Sequence, residues 1–279
     1  MMRELDIPAT VERITTFLKS TVTDAGFSRV IVAVSGGVDS ATAIALATAA
    51  LGPEHVFALS LPYRDWHNDS GGRAGRFLRQ LQIPSSQVRE IDIAPMVEAF
   101  QGSVDLLSHP HLVETRMAGE DLDTVRLGNI MARVRMVVLF DQAKQLHALV
   151  LGTENRSEHY LGYYTRFGDE ASDLEPLRNL YKTEVYQLAE QLGVPKEIRE
   201  AVPTAGLWPG QSDEGQFGFT YEAADEILYG LYEAKRSPQE LVEHGVDKQA
   251  IEQVQAWAAQ MSFKRELPWI APEPVLRMK

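Results

Sequence analysis

The sequence predicts an α/β fold, a parallel sheet flanked by helices with a helical C-terminal part. Three observations predict it. Short apolar runs rich in β-branched residues, first Arg29-Val-Ile-Val-Ala-Val34, are almost continuously hydrophobic, as strands buried on both faces are. These runs alternate with segments of helical period, the pattern of β-α-β units with right-handed crossovers. The most polar, glycine-containing turns, at Ser35 and Gly152, fall at the carboxyl ends of predicted strands, where such sheets bind ligands.

Taken in order, Val11, Ile14, Leu18 and Val22 recur at helical spacing, with Thr10 as the expected N-cap and Gly26 as the stop. The strand at 29–34 runs into Ser35-Gly-Gly-Val-Asp-Ser40 and an alanine-rich helix to about residue 51. A second strand is expected at 56–61, a helix around 73–81 and a third strand near 88–93. Residues 101–119 have no clean period and read as loop or short helices, with His109 and His111 as loop residues. A long helix is expected over 122–146, carrying Val125, Ile130, Val134, Val137, Val138 and Phe140, then a fourth strand at 148–151. Loop signals dominate 155–179. Helices follow at 182–192, 195–201, 221–232, 238–244 and 247–261, and a proline-rich tail begins near residue 267. All 279 residues read as one domain.

Composition narrows the function. The formal charge of −12 disfavours sequence-blind binding to nucleic acid or anionic membranes, which requires a basic surface, but leaves room for a small basic pocket for phosphates. The chain has no cysteine, so it holds no disulfide, zinc–thiolate site, iron–sulfur cluster or cysteine nucleophile. Residues 1–10 lack the basic and apolar regions of a signal peptide, and the longest apolar run, 41–51, is too short to span a bilayer. A cytoplasmic location is expected.

Chemistry concentrates in the loop at 35–40. Gly36 and Gly37 permit a tight turn with exposed N–H groups, and the following helix N-terminus adds partial positive charge. Ser35 and Ser40 supply hydroxyl donors, and Asp39 among them suits a magnesium ion bridging to phosphate. The loop is neither a Walker A motif nor GxGxxG, so it reads as a polyphosphate cradle of another kind.

Ser-Gly-Gly-x-Asp-Ser resembles the pyrophosphate loop of the N-type ATP pyrophosphatases, which adenylate an oxygen and let a nucleophile displace AMP. Gly128-Asn-Ile-Met-Ala-Arg-Val-Arg-Met136, Gly152-Thr-Glu-Asn-Arg-Ser-Glu158, Arg166-Phe-Gly-Asp-Glu-Ala-Ser-Asp173, Leu174-Glu-Pro-Leu177 with Leu180-Tyr-Lys-Thr-Glu184, and the segment 203–214 resemble the NAD synthetases, in order, from about Thr10 to Pro268. The resemblance implies a Rossmann-like sheet of the adenine nucleotide alpha-hydrolase type. It implies ATP-dependent amidation of deamido-NAD by ammonia through an adenylated nicotinate, releasing AMP and pyrophosphate. ATP, the co-substrate, is assigned to Ala33, Val34, Ser35, Gly36, Gly37, Val38, Asp39, Ser40, Thr153, Lys182 and Thr204. Asp39 and Glu158 are assigned to Mg²⁺, and Arg133, Arg166, Asp173 and Lys264 to deamido-NAD. Lys182 begins a helix, where a cation opposes the dipole, and is assigned to charge developing on phosphate. Asp169 is assigned to holding or deprotonating ammonium.

Some residues depart from that pattern. Phe263 stands before Lys264 where the family has histidine, Arg166 stands where lysine is common, and Trp66 with Ser70-Gly71-Gly72 replaces a glutamine and acidic cluster. Two alternatives remain open: an amide ligase for another carboxylate, and a nucleotide-binding homologue without catalysis. The family further implies a homodimer. Without cysteine the chain is expected to use free ammonia or ammonia from a separate glutaminase.

Overall fold

Four parallel strands stand in the order β3-β2-β1-β4: β1 (Val30–Ala33), β2 (Val56–Ser60), β3 (Val88–Glu90) and β4 (Leu149–Leu151). They come from a computed structural model that describes residues 2–64, 68–104, 122–208, 210–265 and 269–271, without the side chains of 68–71 and 122. Alternate side chains leave a strand on opposite faces. Val30 and Val32 accordingly pack among α1 (Ile7–Asp24), α2 (Val38–Leu51) and, beyond the sheet, α7 (Lys182–Gln191). Ile31 packs the other way, with α4 (Ala94–Val104) and α5 (Leu122–Leu146). Helices on both faces explain why these strands carry apolar residues at every position.

Chain order makes the binding edge. From β1 the chain steps through α2 to β2 and through α3 (Asn68–Gln80) to β3. It then returns across α4 and α5 to the far side of β1, where β4 pairs with Val30 facing Leu149. The turns after β1 and β4 leave neighbouring strands at this reversal, which is where an open parallel sheet has its crevice. The C-terminal part holds α6 (Arg156–Leu161), α8 (Lys196–Arg199), α9 (Asp213–Phe217), α10 (Tyr221–Leu228), α11 (Pro238–Glu243) and α12 (Lys248–Gln260). Except for α8, these helices share an aromatic-rich core around Leu161, Tyr181, Phe217 and Tyr221. Among the described residues no helix is long and apolar enough to cross a membrane.

Several boundaries differ from the sequence expectation. The cap of α1 is Asp6, whose carboxylate accepts from Ala9 N at 3.0 Å; Thr10 lies inside the helix and donates to Asp6 O. β3 stops at Glu90, and Asp92 accepts from Ala94 N at 2.9 Å at the start of α4. That helix extends to Val104, into the stretch read as irregular. α6 forms inside the expected loop at 155–179, and α10 changes to a π-helix over Tyr229–Glu233. Trp66, His109, His111 and the tail beyond 271 lie outside the described residues.

Candidate active site

The loop after β1 is shaped by its glycines and closed by its serines. Gly36 has φ +80°, a left-handed conformation that other residues adopt at a cost. Gly37 is the N-cap of α2, and its N–H donates to Ser35 Oγ at 3.3 Å. The Ser40 hydroxyl, nearly buried, donates to Gly37 O at 3.1 Å and accepts from Ser35 N at 3.3 Å. A helix start with Asp39 in its first turn thus sits beside a small ring of hydroxyl and amide groups.

The loop after β4 meets it. Asn155 caps α6 by accepting from Glu158 N at 3.0 Å, while Glu158 Oε2 accepts from Asn155 N at 3.2 Å. This capping box spends only part of Asn155, whose Nδ2 donates to Asp39 Oδ1 at 2.9 Å. Lys182, the first residue of α7, reaches both acids: its Nζ lies 2.5 Å from Asp39 Oδ2 and 3.4 Å from Glu158 Oε1. Asp213 stands nearby, bonded to Tyr221 Oη at 3.0 Å, and the Lys182 ammonium lies over the Tyr221 ring. Burial lowers the Lys182 pKa, but Asp39, Glu158 and Asp213 outweigh it and the net shift is upward, so the ammonium is charged. Burial first, and repulsion from Asp39 second, raise the Glu158 pKa. Two crowded acids sharing one ammonium form a site suited to further positive charge.

A cavity of about 690 Å³ opens from this cluster. Ala33 through Ser40, Thr153, Glu158, Asp169, Lys182, Thr204 and Lys264 line it, so the structure brings most of the residues assigned to ATP, metal and ammonium to one place. Asp169 is buried, accepts from Thr165 N at 2.9 Å, and has its pKa raised by desolvation. Lys264 donates to Gly162 O and Tyr164 O at 2.8 and 2.7 Å. Three assigned residues do not line the cavity. Arg133 donates to Arg166 O at 3.2 Å, the Arg166 guanidinium lies against the rings of Phe167 and Phe263, and Asp173 Oδ2 accepts from Val150 N at 2.8 Å.

Other lining residues received no role from the sequence, although Asn129, Arg135 and Glu154 lie within its motifs. Arg73, Asn129, Arg135 and Glu154 all face the cavity. Asn129, Ala132, Arg135, Met136 and Leu139 follow the three- and four-residue spacing of one helical face of α5, the signal that separates Arg135 from Arg133 two positions away. Glu154 carries no such helical signal, although it lies in the 152–158 motif. Its carboxyl is 5% exposed with Arg178 Nη1 2.9 Å away, and burial above all raises its pKa to about 9. Gly152 is explained by close packing, because a Cβ there would lie 2.1 Å from Glu175 Oε1.

Among the described residues no group of three or more acidic or histidine side chains is arranged to hold a metal by itself. The Asp39–Glu158 pair suits an ion that takes one or two carboxylates and completes its shell with water and phosphate, as magnesium does.

Residues 10–268 match the family described as NAD synthase. The chain belongs to that family. It is 41% identical over 273 residues to the NH(3)-dependent NAD(+) synthetase of Thermococcus kodakarensis, covering 98% of this chain and all of the relative. Among solved structures it is similar to the NMN synthetase of Francisella tularensis, with 31% identity, TM-score 0.81 and coverage of 96% and 99% of the two chains. It is also similar to an NH3-dependent NAD synthetase from Campylobacter jejuni, with 28% identity, TM-score 0.74 and coverage of 96% and 100%. As a member of the NAD synthase family, the chain is an ATP-using ligase that forms a carbon–nitrogen bond.

Proposed function

We infer that the chain converts deamido-NAD to NAD with ammonia, using ATP to activate the nicotinate carboxylate. The observation that carries this reading is the convergence of Lys182, Asp39 and Glu158 beside the Ser35–Ser40 loop, within a chain of the NAD synthase family. A carboxylate resists amide formation because its negative charge repels nucleophiles and oxide is a poor leaving group. Attack by its oxygen on the α-phosphorus of ATP expels pyrophosphate and leaves an acyl adenylate. Ammonia then adds to the activated carbonyl, and AMP departs with the former carboxylate oxygen.

The residues divide this work. Amide and hydroxyl donors of the 35–40 loop and the α2 N-terminus hold the phosphates. The Lys182 ammonium stabilises the negative charge that accumulates as pyrophosphate leaves. Asp39 and Glu158 would hold Mg²⁺, which when bound supplies charge neutralisation to the triphosphate. Asp169, a buried carboxyl with a raised pKa, takes the proton that ammonium or the adding amine must lose. Thr153 and Thr204, which line the cavity, are assigned to ATP, and Lys264 with Arg133 and Arg166, the latter two outside its lining, are assigned to the anionic dinucleotide. Asp173 is assigned to the dinucleotide as well, and its Oδ2 also accepts from Val150 N of β4.

A cysteine-free chain supports ammonia taken free or from a separate glutaminase. The adjacent helices α4 and α5 expose Met96, Phe100 and Val137 at 38, 49 and 60%, which supports a homodimer. A cytoplasmic location accords with these substrates. Incubation with ATP, Mg²⁺, ammonium and deamido-NAD should yield NAD and AMP in equal amounts. AMP without NAD contradicts the reading. The likeness to an NMN synthetase makes the deamidated mononucleotide the second acid to assay, and faster turnover of that acid would favour a mononucleotide ligase.

A further inference from the structure

The proposed reaction brings several anionic groups into the cavity, and Lys182 is already shared between two acids. Another cation faces the same space. Arg135 projects from the cavity face of α5, and its Nε donates to Leu61 O at 3.0 Å, just past the end of β2. That bond fixes the side chain and orients the guanidinium plane. Among the described residues, Nη1 and Nη2 have no hydrogen-bond partner and no carboxylate within ion-pair distance. Arg135 is only half-buried, and it lines the cavity. The guanidinium is nonetheless desolvated, since burial lowers its pKa while the more distant Asp169 partly opposes that shift.

A desolvated cation with a whole N–H edge unused is costly unless something anionic arrives. Arginine keeps its proton under these conditions, and its planar edge matches the paired oxygens of carboxylate or phosphate. Arg133 does not compete for this role, because it lies off the cavity.

We propose that Arg135 is an oxyanion receptor of the active site, held by Leu61 O and gripping a phosphate or carboxylate group of one of the two nucleotide substrates through its Nη edge. This rests on the ATP-dependent amidation proposed above and adds a binding residue to it. The shared chemistry is a bidentate oxyanion. Its source is either ATP or the acid substrate, which are titrated separately.

The test compares wild type, Arg135→Met and Arg135→Lys. Dissociation constants for Mg·ATP and for deamido-NAD are measured by calorimetry, alongside KM for each and thermal melts. Direct binding is read without turnover, so failure of the amidation reading is visible as an inactive wild type and is separable from failure of Arg135. Arg135→Met should weaken one substrate by about 10- to 100-fold, the range lost with a charge-assisted bidentate contact. A change confined to ATP assigns the triphosphate, and one confined to deamido-NAD assigns the acid. Arg135→Lys should recover only part of the loss, because a point charge lacks the fork. If both constants stay within about twofold in Arg135→Met while only the melt shifts, the residue merely props Leu61 and the proposal fails. Should Arg135→Met not fold, Arg135→Lys decides by the same criterion.

Discussion

Lys182 is charged although burial lowers its pKa, because the acids around it outweigh that shift. Removing its ammonium leaves Asp39 and Glu158 facing each other without their shared partner. Lys182→Met should lower kcat by about 10²- to 10³-fold, the loss typical of one preorganised charge at a developing oxyanion. Initial rates at saturating substrates check this, and a rate within threefold of wild type refutes the role. Glu154 carries a second prediction. Its folded pKa, about 9, lies above the unfolded value of 4.5, so its contribution is fully present below 4.5 and is lost as pH rises through 9. Glu154→Gln cannot ionise. The stability of that variant relative to wild type should therefore climb between pH 5 and 9, by at most about 1.4 kcal/mol per pH unit. Urea denaturation at pH 6 and 8.5 measures it, and a pH-independent difference contradicts it. Residues such as Asp39, Glu158 and Lys182 were legible in the sequence because short motifs fix them beside glycines and strand ends. Arg135 and Glu154 also lie in such motifs but received no role there, because what they do comes from what folds against them: Leu61 for one, Arg178 and Glu175 for the other.

At the scale of elements, two helix starts aim the site, and one buried carboxylate joins them. Asp225 of α10 accepts from Thr183 N at 2.9 Å, from Thr183 Oγ1 at 2.8 Å and from Ser157 Oγ. Ser157 Oγ in turn accepts from Lys182 N at 2.8 Å. This links the helix bearing Glu158 to the helix bearing Lys182. Asp225→Ala would leave several buried donors without an acceptor, at about 1–3 kcal/mol for each group orphaned. The expected outcome is a loss of about 3 kcal/mol in denaturant unfolding together with a reduced kcat, and unchanged values of both would contradict the link. The same elements show why periodicity missed part of the fold. α6 has six residues, too few to display a helical repeat, and only its Asn155-x-x-Glu158 capping box announced it in the sequence. The long α5, with 25 residues, was legible throughout.

For the whole molecule, the layered sheet and its reversal between β1 and β4 put the two motif-bearing turns side by side. Parallel strands alternating with helices were readable as a class from apolar runs. The strand order was not, because nothing local to 105–148 says that β4 returns to the free edge of β1. Where α4 and α5 lie side by side they also leave an apolar face. If that face is a dimer interface, light scattering should give twice the 31.1 kDa chain mass, and Val137→Asp with Phe100→Asp should shift the protein toward monomer. A monomeric wild type would remove this part of the account. Isotope transfer follows the bonds made and broken in the cavity most directly. Deamido-NAD carrying ¹⁸O in its nicotinate carboxylate is turned over with ATP and ammonium, and the products are resolved by mass spectrometry. Adenylation of a doubly labelled carboxylate gives NAD together with AMP bearing one ¹⁸O and unlabelled pyrophosphate; NAD accompanied by unlabelled AMP would contradict that route.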